Sequence, residues 1–394
     1  MSSATPVHAP TTDTQQHAHG PGSPVPLQTR NGRFASGAHS DFPPVTGREL
    51  EWKLTPVDKI RDLIDGELDG SAFPAEISSA PGLTVEWIER GDARIGSAGL
   101  AEERAAANAW TRTENALAVT LSSEEAVVVT INRTGTDRTP RAAHTIITAA
   151  PNARGLIVID HRGSARLTEN VEIVAEAGSD LTVVSLQEWD AESVHLSSHF
   201  ARVEKDARLK HVVVSLGGAV VRVNPSVHLA GAGADGQLLG LYFADAGQHL
   251  EQRVYVHHIA PRTVSRVTYK GALNGAGART VWVGDVLIGR NATGTDSYEQ
   301  NRNLVLSGGT RADSIPNLEI ETGDIAGAGH ASATGRFDDE QLFYLRSRGI
   351  DEQEARRLVV LGFLIDVVQK IGAPELETRL IAAIEAELDV VAVV

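Results

Sequence analysis

The chain has 394 residues, 42% hydrophobic and 22% charged, ample material for a globular core. Lys and Arg number 36 against 51 Asp and Glu, and the net charge of −15 excludes a broad phosphate-binding surface or attraction to anionic membranes. Cysteine is absent, which excludes disulfides, thiolate metal ligands, cysteine nucleophiles and a persulfide carried by this chain.

Residues 1–45 are rich in Pro, Ser, Thr, Gly and His and poor in large apolar groups, so they read as a disordered tail. Its histidines, His8, His17, His19 and His39, are scattered and read as solvated. The first residues lack a basic and an apolar region of the secretory kind, and no window approaches a membrane span. A cytoplasmic location is therefore expected. Residues 46–115 read as an N-terminal helical region. Thr55 and Pro56 stand as N-cap and first residue of a helix through Val57, Ile60, Leu63 and Ile64, ended by Gly66 or Gly70. A second helix is expected over Ala101–Trp110.

Residues 116–335 change character. Short alternating runs recur, among them Leu117–Leu121, Ala126–Asn132, Leu156–Asp160, Leu181–Leu186, Leu209–Leu216, Leu238–Phe243 and Val281–Ile288, and no helix interrupts them. The units AEAGSDLTVV, VEKDARLKHVVV and AGAGADGQLLGL each join a small or acidic turn to a strand. They recur at roughly 28 residues, near the upper end for one coil of a solenoid. The pattern alone is compatible with a β-helix or a sandwich. Residues 336–394 read as a C-terminal helical domain. Asp338 or Asp339 opens a short helix closed by Gly349, and Asp351 and Glu354 have capping-box spacing. Leu358, Leu361, Leu364, Ile365 and Val368 then form one apolar face before Gly372 and Pro374. So much apolar surface on these helices predicts a partner.

Few motifs carry chemistry. Residues 231–236, GAGADG, match a dinucleotide-binding glycine pattern, but a strand follows where a helix is required, so the glycines read as a turn. The pattern G-x-x-x-x-G-K-[ST] is absent. His257 and His258 are adjacent and would point to opposite faces of a strand, which disfavours a shared ion. Glu319 and Glu321 share a strand face and could form the acid–base pair of a carbohydrate-active β-helix enzyme, with a solvated strand edge as the plainer reading. His330 lies among Gly, Ala, Ser and Thr, leaving its imidazole accessible as a ligand for iron or another transition metal.

The segment SIPNLEIETGDIAGAGHASATGRFDDEQLFYLRSRGI (314–350) resembles the closing segment of the SufB/SufD family of iron–sulfur cluster assembly proteins. The histidine pair at 257–258, SRVTYKGALNGAGART and TDSYEQNRNLVLS extend the resemblance over about 250–372. It implies a mainly β protein: a right-handed parallel β-helix core with a helical C-terminal domain. It also implies a SufBCD complex in which this chain pairs with SufB near the C-terminal strands. The C-terminal helices would dock on SufC, which supplies the ATPase activity. The chain would then be a subunit with no catalytic residues and no intrinsic cofactor, and a homodimer when alone. SufB-like members carry a cysteine in this region and a His-Glu-Ala sequence; SufD-like members carry His-Gly-Ala-Thr. In Gly329-His330-Ala331-Ser332 no Glu follows the histidine, and this and the missing cysteine fall on the SufD-like side, while Ala331 and Ser332 depart from the Gly and Ala of that pattern. His330 then matches the histidine implicated in holding iron or the nascent cluster at the SufB interface.

Overall fold

The computed structural model describes residues 34–336 and 339–390. The expectations for His8, His17, His19 and Asp338 lie outside them. The strands are β1 (Glu76–Ile77), β2 (Leu83–Glu89), β3 (Asn115–Leu121), β4 (Val127–Ala149), β5 (Arg154–Ala175), β6 (Asp180–Trp189), β7 (Val194–Val203) and β8 (Arg208–Ser215). They continue as β9 (Val220–Leu229), β10 (Asp235–Ala244), β11 (His249–His258), β12 (Val264–Leu273), β13 (Arg279–Ile288), β14 (Thr295–Val305), β15 (Arg311–Ile320) and β16 (Ile325–Arg336). The helices are α1 (Val57–Asp65), α2 (Arg104–Arg112), α3 (Asp339–Ser347), α4 (Glu352–Val368) and α5 (Pro374–Val390).

The strand order is β15-β13-β11-β9-β7-β5-β6-β8-β10-β12-β14-β16. Every pairing along it is parallel, which decides for a β-helix and against a sandwich. The chain alternates between two sheet faces, so each strand meets the one two positions on. Asp180, Arg208, Asp235, Val264 and Asp296 stand in one register row, steps of 28, 27, 29 and 32 residues. Strand β5 turns a corner: residues 154–163 pair with β6 and 166–175 with β7. Among the described residues the antiparallel pairs are β1 with β4 and β2 with β3, at the N-terminal end.

Period-two alternation sends every second side chain inward. One interior row reads Ile157, Val183, His211, Leu238, Val267, Glu299, His330, each the register partner of the next. The row is apolar save for His211 until its last two members. Space inside is shared closely. A Cβ on Gly271 would stand 1.8 Å from the Tyr242 ring, and one on Gly240 1.9 Å from the Tyr269 ring, so each glycine makes room for a neighbouring coil's aromatic.

Both outer faces are covered. On the β7–β11 side the N-terminal region packs α1 and α2 through Trp52, Ile60, Leu63 and Ala105 against Val194, Leu196 and Val220. Buried Glu251 anchors it, receiving hydrogen bonds from Thr55 Oγ1 (2.8 Å), Arg222 Nε (3.2 Å) and Arg253 Nη1 (3.3 Å). Thr55 therefore reaches Glu251 rather than capping α1, and Pro56 takes the N-cap place. Residues 34–45, expected to continue the disordered tail, are ordered: Phe42 and Val45 are buried and His39 Nε2 lies 2.9 Å from the Ile64 carbonyl. The N-terminal region also contributes β1 and β2 beside its helices.

On the opposite face α4 and α5 bury Val360, Leu364, Val367, Leu380 and Ile384 against Val184, Leu186, Val212, Leu239 and Phe243. Of the apolar helical face read as a partner surface, Leu361, Leu364, Ile365 and Val368 pack against the protein's own solenoid, and Leu358 stays exposed. Asp351 caps α4, its side chain accepting from the Glu354 amide. Lys270 Nζ donates to the Phe363 carbonyl (3.0 Å), and Lys210 Nζ to the carbonyls of Lys370 (2.9 Å) and Ile371 (3.1 Å), both near the end of α4. No helix among the described residues is long and apolar enough to cross a membrane.

Candidate functional site at the open end of the solenoid

Among the described residues no further coil lies beneath the last one, β14 to β16, so its inward side chains line an open mouth. Strands β15 and β16 end the main strand order and leave free parallel edges. His330 lies on β16 as the register partner of Glu299 on β14, with His330 Nδ1 3.8 Å from Glu299 Oε1. The imidazole is 45% exposed and the carboxyl 1% exposed. Small neighbours, Gly329, Ala331 and Ser332, leave the ring open to approach.

Glu299 is buried without compensation. Neither of its oxygens makes a hydrogen bond of normal geometry. A Cβ on Gly284 would stand 2.3 Å from its Oε2 and from the Trp282 ring, so the carboxyl rests in an apolar slot that only glycine leaves open. Burial first, and the like charge of Asp285 second, push Glu299 up to about 8, with the Asn317 backbone amide acting the other way. At neutral pH it is a protonated acid able to donate to an incoming group; ionised, it becomes an oxygen ligand beside an imidazole.

Beside this pair the mouth is lined by a hydrogen-bonded network. Asn301 Nδ2 donates to the Tyr242 hydroxyl (2.8 Å), which donates to Asn303 Oδ1 (2.8 Å). Asn303 Nδ2 donates to Asn301 Oδ1 (2.7 Å), as does the Ser314 hydroxyl (2.7 Å), and Ser332 donates to Ser314 (2.8 Å). Along the row that ends in His330 the interior changes from mostly aliphatic to polar over the last coils. The mouth thus offers nitrogen and oxygen groups and, in a cysteine-free chain, no thiolate.

The other candidate residues stand elsewhere. His258 is buried inside, its Nδ1 2.7 Å from Thr263 Oγ1 and its Nε2 2.9 Å from Ser265 Oγ. His257 points outward beside the rings of His228 and Tyr255, so the two imidazoles do face opposite ways. Glu319 sits half-buried on the edge strand β15, and Glu321 follows just past its end. Residues 231–236 form the turn into β10, with Gly233 at φ 76°. Glu299, Asn301 and Asn303 were not singled out from the sequence. Their signal is parity: in TDSYEQNRN every second residue from Ser297 is polar, in register with inward Ser265, Val267 and Tyr269.

Comparison with known proteins agrees with this arrangement. The family described as SUF system FeS cluster assembly, SufBD core domain, matches residues 131–363. An iron-sulfur cluster assembly SufBD family protein of Mycobacterium leprae is 48% identical over 379 residues, 94% of this chain and 97% of that protein. One of Mycobacterium tuberculosis is 50% identical over 368 residues, 91% and 92% of the two chains. A second SufBD family protein of Mycobacterium leprae is 30% identical over 201 residues, 51% of this chain and 23% of its own length. A solenoid with a polar, histidine-bearing last coil, matched over most of its length by such relatives, places this chain in the SufB/SufD family of iron–sulfur cluster assembly proteins.

Proposed function

We propose that the chain is the SufD-type subunit of a cytoplasmic SufBCD complex and takes part in cluster assembly without catalysing turnover alone. The observation that carries this reading is the thiolate-free mouth holding His330 beside buried Glu299, flanked by two free parallel edges. A thiolate-bearing SufB, set edge to edge with β15 and β16, would supply the sulfur and cysteine ligands this chain lacks. His330 would then hold iron or the nascent cluster as cargo at the joint. Similarity to two different SufBD family proteins of one organism, one over nearly the whole chain and one over half, supports a pair of unlike subunits. Without a partner, the same edges would pair two copies of this chain.

The chain carries no phosphate-binding glycine loop of the Walker kind, so ATP hydrolysis falls to SufC. Because α4 and α5 spend their apolar face on the solenoid, the surface left for SufC is the exposed part of the helical domain, where Phe343 is 75% and Tyr344 55% exposed. Co-purification of the tagged chain with co-expressed SufB and SufC tests the reading. A complex carrying iron and sulfide is expected, with the complex retained and the iron lowered in His330→Ala. A chain that purifies alone, or a His330→Ala complex that matures iron–sulfur enzymes normally, would refute it.

A further inference from the structure

A second group of ligand-type side chains lies deep in the first coils, far along the chain from the mouth. His161 and Glu169 are both on β5, on either side of its corner, and His195 is on β7. All three point inward and are wholly buried. His161 Nε2 is 2.9 Å and His195 Nε2 3.5 Å from the same oxygen, Glu169 Oε2, and the three ligand atoms lie within 4.8 Å of one another.

The outer nitrogens fix which inner nitrogens carry lone pairs. His161 Nδ1 lies 3.0 Å from the Leu186 carbonyl, which only accepts, so Nδ1 carries a proton. His195 Nδ1 lies 2.6 Å from Gln187 Oε1, whose amide nitrogen is committed to Ser185 Oγ at 2.8 Å, so with the Trp189 indole N–H, 3.2 Å from both atoms, donating to Gln187 Oε1, this Nδ1 also carries a proton. In the neutral tautomers both Nε2 lone pairs then converge on a carboxylate oxygen. His195 Nε2 has no hydrogen-bond partner at all. Arg133 does not fill the gap: its Nη1 donates to the Phe73 carbonyl and its Nη2 to Thr145 Oγ1, and it stands 3.7 Å from the other oxygen, Oε1. Three converging lone pairs with outward N–H groups anchored on oxygens is how imidazole and carboxylate ligands are oriented around a metal. Bonds of about 2.0–2.2 Å put tetrahedral ligand atoms about 3.3–3.5 Å apart, against 2.9 and 3.5 Å from Glu169 Oε2 to the two nitrogens.

We propose that His161, Glu169 and His195 form a resident binding site for one divalent transition-metal ion of the zinc, cobalt or ferrous class. Enclosed in the solenoid, the site would fill as the first coils close, and its role would be to tie the corner of β5 to β7 rather than to pass metal to a substrate.

The test is metal analysis and cobalt spectroscopy of the full chain produced in zinc- or cobalt-supplemented medium. About one ion per chain is expected, with a low-symmetry visible cobalt spectrum. Glu169→Gln and His195→Gln should lower the content about tenfold or more. His211→Gln, a buried histidine outside the trio, should leave it unchanged. If Glu169→Gln and His195→Gln do not fold, X-ray absorption of the cobalt-loaded wild-type chain decides, two imidazoles and one carboxylate being required. Wild-type chain without bound metal, metal lost with His211→Gln, or metal retained in folded Glu169→Gln and His195→Gln would each overturn the proposal. None of these outcomes bears on pairing with SufB.

Discussion

Lys270 is the sharpest test of how the helical domain is held. It projects from β12, 11% exposed, and three contacts converge on its ammonium: the Phe363 carbonyl at 3.0 Å, Asp366 Oδ2 at 2.9 Å and the Phe363 ring at 4.8 Å from its centroid. The bond to the carbonyl is charge-assisted and nearly dry, about 1.5–3 kcal/mol. The ring contact adds about 0.5–1 kcal/mol. Asp366 is half-exposed and shared with Lys370 at 3.0 Å, so the ion pair is discounted to less than about 1 kcal/mol. Lys270→Met keeps the stem's packing and removes the charge, and should cost about 2–4 kcal/mol. Asp366→Asn should cost under about 1 kcal/mol. Urea unfolding gives both costs, and hydrogen exchange of the α4 amides shows whether loss of Lys270 loosens the helix before the solenoid. Equal costs for the two variants would refute the reasoning, because the ion pair and not the carbonyl would then be the main tie.

Gly271→Ala should destabilise by about 1–3 kcal/mol or more, because its Cβ meets the Tyr242 ring at 1.8 Å; the melting temperature reports it, and Tyr242→Leu in the same chain should recover part of the loss. Burial, with the neighbouring charge of His257 next and Asp296 opposing, holds His258 down to about 3 from 6.5. The unfolded chain therefore binds more protons, and this stability is present above pH 6.5 and is lost as pH falls from 6.5 towards 3. Between pH 7 and pH 5 the loss from this group is about 2 kcal/mol, so His258→Asn should flatten the dependence of urea unfolding by that amount. Glu299→Gln should leave stability at pH 7 unchanged or higher, since a neutral isostere replaces a carboxyl buried without a partner; a clear loss in urea unfolding would show an ionised, paired carboxylate there.

Much of the fold was legible because hydrophobic periodicity is a local property. Alternating runs at a near-constant spacing gave the solenoid strands and their repeat, and capping residues such as Asp351 and Gly349 marked the C-terminal helices. Strands β7, β9 and β11 were less visible. In β7 the sequence VHLSSHFARV carries His195, Ser197 and His199 on its inward side, so the apolar alternation that reveals a strand is absent. A coil interior tolerates such residues only where other strands of the coils supply partners, and those come from 8 to 12 residues away, as with Gln187 for His195 and His211 for His199.

The amino-acid sequence by itself determined the coil length, the helical ends, the lack of thiolates and the accessibility of His330, because each depends on residue type and near neighbours. Only the tertiary structure decided that His330 meets Glu299, that Glu299 is a buried acid raised in pKa, and that the apolar face of α4 and α5 is spent on the protein's own outer sheet. Stacking joins residues one coil apart, and which of them become neighbours is set by register across the sheet, a quantity that no local pattern carries.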